Sequence, residues 1–302
     1  ELPKSVAIED LDLLPKQDWG AGLYDAWDPT RAGAKRLLKL CLKEKLAGYD
    51  VGRDQMGEEG TSKLSPYLHF GQIGPREIWH AIAAASNRKN NHVRRYLAEI
   101  GWREFSYYLL YHFPHVADSP LRPEFEEFPW EPDTALLKAW QLGQTGFPIV
   151  DAGMRQLWQT GWMHNRARMI CASLLVKHLL QPWQDGAHWF WDTLVDADLA
   201  SNSQGWQWTA GCGADASPYF RVFNPILQGQ KFDSAGDYVR RWVPELSKLP
   251  THRIHSPWEA DAIELAEAGL TLGEDYPFPI IDHVAGRARA LKAYGLFKVS
   301  ST

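Results

Sequence analysis

The chain has 302 residues, which at roughly 150 residues per domain allows two domains or one large one. Its 45% apolar and 23% charged residues exclude a disordered or collagen-like chain. With 32 Lys and Arg against 37 Asp and Glu, the net charge of -5 gives no bulk attraction to nucleic acid, so any basic surface must be local.

Residues 1–28 are punctuated by Pro and Gly and read as the tail of an interdomain linker. After Pro29, the spacing of Ala34, Leu37, Leu38 and Cys41 against Lys35, Arg36, Lys39 and Lys43 predicts an amphipathic helix that Gly48 closes. Pro75 suits the first position of a helix reaching about Ser86. Asn91 is read as the cap of a long helix from His92 to about Phe113, stopped by Pro114. Further helices are predicted over Thr134–Leu142, Ile149–Gln159, Met163–Leu180, Gly186–Val195, Ala235–Trp242 and Glu259–Ala268. Sustained period-2 alternation and hairpin dipeptides are missing, so the expected fold is all-α, with one helical domain over residues 29–302.

Cys41, Cys171 and Cys212 are odd in number and far apart, with no metal-ligand spacing, which points to idle thiols in a reducing, cytoplasmic setting. No run reaches the ~18 apolar residues of a membrane span, and Glu1-Leu-Pro-Lys opens no basic-then-apolar leader. Without an initiator Met the chain reads as a fragment or processed piece, and a monomer with no membrane partner is expected. The 15 Trp are the unusual number: core, stacking platforms and electron relays all use indoles.

Three constellations stand out. On the helix after Asn91, Glu99, Trp102, Arg103 and Ser106 share a face, either as a Glu99–Arg103 surface pair beside a half-buried indole or as a stacking platform with an acid. Asn165, Arg168, Met169 and Ala172 share another, while Arg166 points elsewhere; two arginines and His164 within five residues suit an anion. The stretch Asp196 to Trp208 reads as a polar loop after a helix end, with two carboxylates, Asn202 and two indoles; Asp196 and Asp198 make a poor metal set, and no metal is expected. Gly57-Glu-Glu-Gly-Thr-Ser-Lys63 is not a nucleotide-binding P-loop in order, although its donors could hold a pyrophosphate before a helix. From the chemistry alone, a glycoside hydrolase using Glu99 with Asp196 or Asp198 competes with a flavin or nucleotide protein acting on nucleic acid. Arg103, Arg166, Arg168 and Arg221 in Trp-rich segments favour phosphates, hence the second.

Glu58-Glu-Gly-Thr-Ser-Lys-Leu-Ser65, Trp102-Arg-Glu-Phe105, Gly146-Phe-Pro-Ile-Val-Asp-Ala-Gly-Met-Arg-Gln-Leu157, Gly161-Trp-Met-His-Asn-Arg166, Asp196-Ala-Asp-Leu-Ala-Ser-Asn202, Gly205-Trp-Gln-Trp208, Arg221-Val-Phe-Asn-Pro225 and Gln230-Lys-Phe-Asp233 resemble, in order, the photolyase/cryptochrome family. The likeness runs from about Tyr49 to Pro244 and covers that family's carboxy-terminal helical FAD domain; its amino-terminal α/β antenna domain has no counterpart here.

The resemblance implies FAD in a U-shape, with Tyr49 and Thr61, Ser62, Lys63, Leu64 and Ser65 at its phosphates, and Arg168, Asp196 and Asp198 by the flavin. It places Asn202 at flavin N5. It further implies repair of cyclobutane pyrimidine dimers in DNA, by light-driven electron transfer from reduced FAD (FADH-) to a flipped-out dimer, with a signalling cryptochrome as the alternative. Trp102 and Trp208 would wall the dimer, Glu99 and Asn165 would contact it, and Met169 matches the dimer-repair class. Trp206, Trp183 and Trp130 match a chain of three indoles that photoreduces the flavin. Arg53, Arg103, Arg166, Arg221 and Lys231 are the implied DNA contacts, and no antenna chromophore is expected on this chain.

Overall fold

The computed structural model describes residues 5–13, 17–85, 90–219 and 221–300. Short α1 (Ala21–Ala26) precedes α2 (Arg31–Leu40), α3 (Tyr49–Gly52), α4 (Ser65–His69) and α5 (Pro75–Ala85). The long α6 (Asn91–His112) leads to α7 (Thr134–Gln141), α8 (Pro148–Thr160) and α9 (Asn165–Ser173). Then follow α10 (Trp183–Thr193), α11 (Leu199–Ala210), α12 (Pro225–Phe232), α13 (Asp237–Trp242), α14 (Ala262–Ala268) and α15 (His283–Ser300). Among the described residues there is no strand, only an isolated bridge between Leu272 and Tyr276, so the all-α expectation holds.

Local chemistry sets the helix ends. Thr30 caps α2 by accepting from Gly33 N, and the apolar face of Ala34 and Leu38 turns inward with Cys41. Asn90, not Asn91, caps α6: its side chain accepts from His92 N at 2.8 Å, which starts the 22-residue helix one residue early. Gly161, at φ 64°, ends α8 in the left-handed conformation that a side chain disfavours. The helix expected over Met163–Leu180 is divided: α9 runs from Asn165 to Ser173 and passes into a π-helical turn, Leu174–His178. Likewise Glu259–Ala268 divides into a 3₁₀ turn, Pro257–Glu259, and α14, whose start is fixed by an Asp261–Glu264 capping box. Ser86, the expected end of α5, lies outside the described residues, as do Glu1 to Lys4.

The stretch from Asp196 to Trp208 is not a loop: Asp198 accepts from Ser201 N at 2.8 Å and starts α11, which Gly211 ends. The predictions also passed over α12, capped by Asn224, and α15. Two apolar clusters result. The larger gathers Trp140, Trp183, Trp206, Leu175 and Val239; the smaller gathers Ala34, Leu38, Tyr49, Tyr67, Ile78, Ile82 and Tyr96. Helix α6 packs against α3, α5 and α11, so it bridges the two clusters. Residues of the presumed linker join this body, since Trp27 Nε1 donates to Thr160 O at 2.7 Å.

Asp151, in the motif Gly146 to Leu157, explains itself structurally. Its buried carboxylate accepts from Thr145 N and Oγ1, Gly146 N and the Tyr276 hydroxyl, tying the entrance of α8 to a distant loop. Burial pushes its pKa up, against the opposing pull of these donors.

Candidate flavin and nucleic-acid site

Helix α11 packs on both α6 and α9, and α3 packs on α6, so three rigid helices and the turn after α3 present the singled-out residues together. The turn supplies Arg53, only 8% exposed, which donates to Glu99 on α6 and lies 5.5 Å from the centre of the Tyr49 ring. Burial would lower the Arg53 pKa, but Glu99 and its other anionic neighbours more than offset this and the net shift is upward. Arg53 Nε also stands 3.6 Å from Asp54, whose two oxygens accept from Arg166 Nε and Nη2 at 2.8 and 2.6 Å. Glu99, Arg53, Asp54 and Arg166 therefore form a chain of alternating charge. The expected Glu99–Arg103 pair is not made: Arg103 pairs with Glu104 instead, at 2.7 Å.

Arg166 rests on the Phe232 ring, 4.7 Å from its centre, and Lys231 lies 5.1 Å from the same centre. Arg166 Nη1 and Asn165 Nδ2 both approach the Met169 sulfur, at 3.7 and 3.9 Å. Arg221 is exposed, and among the described residues its side chain makes no hydrogen bond, ion pair or ring contact with this cluster. On α6, Trp102 is 46% exposed and stands edge-on to Phe105; Trp208, half-buried, lies on the neighbouring α11.

On the other side of α9, Arg168 Nη2 meets both oxygens of Asp196 at 3.1 and 2.8 Å, and its Nε donates to Met163 O. The Asp196 side chain is 2% exposed, so this cation is its main compensation. Asp198 caps α11 and accepts from the Tyr107 hydroxyl, over whose ring Arg103 stacks at 4.6 Å. Asn202 Nδ2 donates to Ala187 O at 2.9 Å; its Oδ1 has no partner among the described residues and is left as a free acceptor. His164 caps α9 through Nδ1, while its buried Nε2 is unpartnered; burial pushes its pKa down to about 4, so the ring is neutral.

The loop at 61–65 is clamped from both sides. Lys45 donates to Thr61 O at 2.8 Å, Trp162 Nε1 reaches Ser65 Oγ at 3.4 Å, and Leu64 is buried. Lys63 occupies the left-handed region at φ 53°, pairs with Glu59 at 2.6 Å and covers the Trp162 ring. Tyr49 stacks at a tilt on Tyr96, 4.9 Å between centres. Lys45, Asp54 and Tyr107 were not assigned site roles in the sequence, and His164, grouped there with two arginines as an anion site, is instead a neutral helix cap; Asp54 had a signal, its position between Arg53 and a Glu-rich loop.

Residues 96–296 match the FAD binding domain of DNA photolyase. The chain belongs to the DNA photolyase family. It is 53% identical over 298 residues to the deoxyribodipyrimidine photo-lyase of Agrobacterium fabrum, covering 98% of this chain and 62% of that one. It superposes on the class III photolyase from Agrobacterium tumefaciens with a TM-score of 0.94 at 52% identity, again over 98% and 62%. Cryptochrome-1 of Arabidopsis thaliana is 42% identical over 90% of this chain and 41% of the plant protein. The photolyase-family chain thus spans about three fifths of its bacterial relatives, and the part it matches is helical.

The residues fit the flavin that gives the family domain its description. Asn202 offers an acceptor with its donor already occupied, Arg168 and Asp196 offer both charges side by side, and the unpartnered His164 Nε2 marks an unfilled hydrogen-bonding demand nearby on α9. Trp206, the indole next to Asn202 by one helical turn, is buried against Trp140 and Phe190 at 6.1 and 5.0 Å. Trp183 is buried and Trp130 half-buried on Phe128, but among the described residues no direct ring contact joins the three.

Among the described residues, no helix is long and apolar enough to cross a membrane, and no group of three or more His, Cys, Asp or Glu is placed to hold a metal ion.

Proposed function

We propose that this chain carries the catalytic site of a light-driven enzyme that repairs cyclobutane pyrimidine dimers in DNA. The observation that carries the reading is the convergence of an exposed indole, Trp102, one turn from Glu99, with the Glu99–Arg53–Asp54–Arg166 chain and Lys231 beside it. An aromatic face, a carboxylate and cations in that order suit a base and its backbone phosphates.

Arg166, Lys231 and Arg221 take the phosphates around the lesion, whereas Arg53, implied by the sequence as a further contact, is buried on Glu99 and serves to hold that carboxylate. Trp102 and Trp208 receive the flipped dimer, and stacking worth about 1–3 kcal/mol per base offsets an unstacking cost of a few kcal/mol, which is least for a damaged pair. Glu99 and Asn165 contact the dimer, with Met169 beside them. Tyr49 and residues 61–65 hold the phosphates of FAD, Arg168, Asp196 and Asp198 border its ring, and Asn202 Oδ1 accepts from N5 when N5 carries a proton. Bound FAD in its reduced form supplies the light-excited electron that opens the cyclobutane ring and is then returned. Trp206, Trp183 and Trp130 provide a path for electrons from the surface, where half-buried Trp130 is the outermost of the three and the other two are buried.

Cryptochrome relatives keep a signalling reading in play. One experiment separates the two: the FAD-loaded chain is mixed with a dimer-containing oligonucleotide and lit with blue light. Recovery of thymine absorbance supports repair; photoreduction without recovery sinks it in favour of signalling.

A further inference from the structure

Asp54 holds an arginine that DNA would need. Its carboxylate grips Arg166 in a two-pronged pair at 2.8 and 2.6 Å, the geometry with which a guanidinium holds a phosphate. A second cation waits at the same carboxylate: Arg53 Nε is 3.6 Å away, inside ion-pair range but too long for a hydrogen bond. Arg53 spends its own hydrogen bond on Glu99. Nearby Lys231, on the ring that also carries Arg166, has no carboxylate partner among the described residues and leads an incoming phosphate to that spot.

We propose that Asp54 is a positioning residue that stands in for a DNA phosphate in the free protein and, when a phosphate displaces it from Arg166, turns to Arg53 and frees Glu99 for the lesion. The proposal rests on the DNA-repair reading above. The exchange needs no net charge to move far. One anion replaces another on Arg166, and the displaced carboxylate has only to shorten a separation of 3.6 Å to about 2.9 Å to become the hydrogen-bond partner of Arg53. Both Arg166 and Asp54 are partly exposed, at 21% and 24%, so a phosphate can reach the pair from solvent. Arg53, by contrast, is buried and cannot swing out to the backbone, so it responds to whichever carboxylate is nearest. Non-specific DNA thus meets an arginine already occupied, and only a site that also fills the pocket gains from releasing Glu99.

The test is D54N, with D54S as a second variant, in the FAD-loaded chain in the dark. Fluorescence anisotropy reads binding to an undamaged and a dimer-containing duplex over a range of salt, and circular dichroism checks the fold. Both variants should bind undamaged DNA about five- to tenfold more tightly, with a salt slope steeper by about 0.9, the value of one further phosphate contact. Preference for the dimer should fall about fivefold, because Arg53 then has no other carboxylate and keeps Glu99. D54E should restore wild-type behaviour, and D54N/R166Q should lose the gain. Unchanged or weaker binding to undamaged DNA by the folded variants overturns the proposal, and an equal gain on both duplexes overturns the link to Glu99. A wild-type chain with no preference for the dimer overturns the repair reading itself, and this proposal with it.

Discussion

Replacing Gly186 by Ala tests whether Trp206 is held as tightly as its surroundings suggest. A Cβ at Gly186 would sit 2.1 and 2.4 Å from two Trp206 ring carbons and 2.7 Å from Leu175 Cδ2. Ordinary carbon contacts lie at about 3.5–4.0 Å, so the overlap is about 1.5 Å. Neither neighbour can yield cheaply, because the indole is rigid and boxed in by Trp140 and Phe190. Overpacking of this kind costs about 1–3 kcal/mol and more at its extreme. The better helix propensity of Ala returns about 1 kcal/mol in α10, leaving a net loss of about 2 kcal/mol. Urea unfolding of the flavin-free chain reads that loss directly. In the FAD-loaded chain, displacement of Trp206 should also slow light-driven flavin reduction more than tenfold, while repair by chemically reduced protein persists. Wild-type stability in G186A would show that α10 simply moves away. Normal photoreduction despite the loss would refute Trp206 as the first relay.

Three further substitutions probe other parts of the site. R168Q leaves the Asp196 carboxylate buried without its cation, and should cost about 3 kcal/mol in urea unfolding of the flavin-free chain; a cost below 1 kcal/mol would show that Asp196 finds another partner. Lys177 is buried, donates to Ala210 O at 3.3 Å and lies over Tyr219, and burial pushes its pKa down from 10.5 to about 7. Because the folded pKa is depressed, the unfolded chain binds the extra proton between about pH 7 and 10.5, and wild-type stability rises through that window. K177M should therefore be the more stable protein near pH 6.5 and lose about 3 kcal/mol of its advantage by pH 9.5; a gap that ignores pH would place Lys177 in its charged state throughout. E99A should lower the repair quantum yield severalfold while changing affinity for dimer-containing DNA less than threefold, and a normal yield would remove Glu99 from the chemistry.

Helices whose caps and apolar periods are local were readable in advance, as with the Ala34–Leu38–Cys41 face and the Pro75 start. Helix α11 was not, because its run Ser201-Asn-Ser-Gln-Gly is polar in composition although one face of the helix, from Ala200 through Ser203 to Gln207, is buried. Gln207 shows how that is tolerated: its Oε1 accepts from Leu121 N and its Nε2 donates to Val116 O and Ser119 O, partners more than 80 positions away. Two signals were present and passed over, the Asp198 cap three residues before Ser201 and the Asn224-Pro225 start of α12. The π turn at Leu174–His178 has no comparable local mark. In the candidate site, residue types in motifs singled out Glu99, Asn165, Arg168, Asp196 and Asn202, but the side chains that hold Glu99 and Arg166 in place came from elsewhere in the chain. Arg53 reaches Glu99 across 46 positions and Asp54 reaches Arg166 across 112, distances over which sequence spacing carries no geometry.

The pairing of those cations bears on how an acidic chain could be selective for DNA under the proposed function. Arg53, Arg103, Arg166 and Arg168 each meet a carboxylate, so most of the positive charge at the site is already neutralised within the protein. Among the described residues, Lys231 and Arg221 are the cations implied as DNA contacts that have no acidic partner. Counterion release, and with it non-specific affinity, scales with the phosphates neutralised, so two free cations support only weak binding to undamaged duplex. If the chain repairs dimers as proposed, further contacts have to displace internal carboxylates, and the resulting cost is met only where a flipped base also stacks on Trp102. On the proposed reading, discrimination comes from the withheld arginines as much as from the pocket, which would tie the selectivity of the site to Asp54 and its neighbours rather than to net charge.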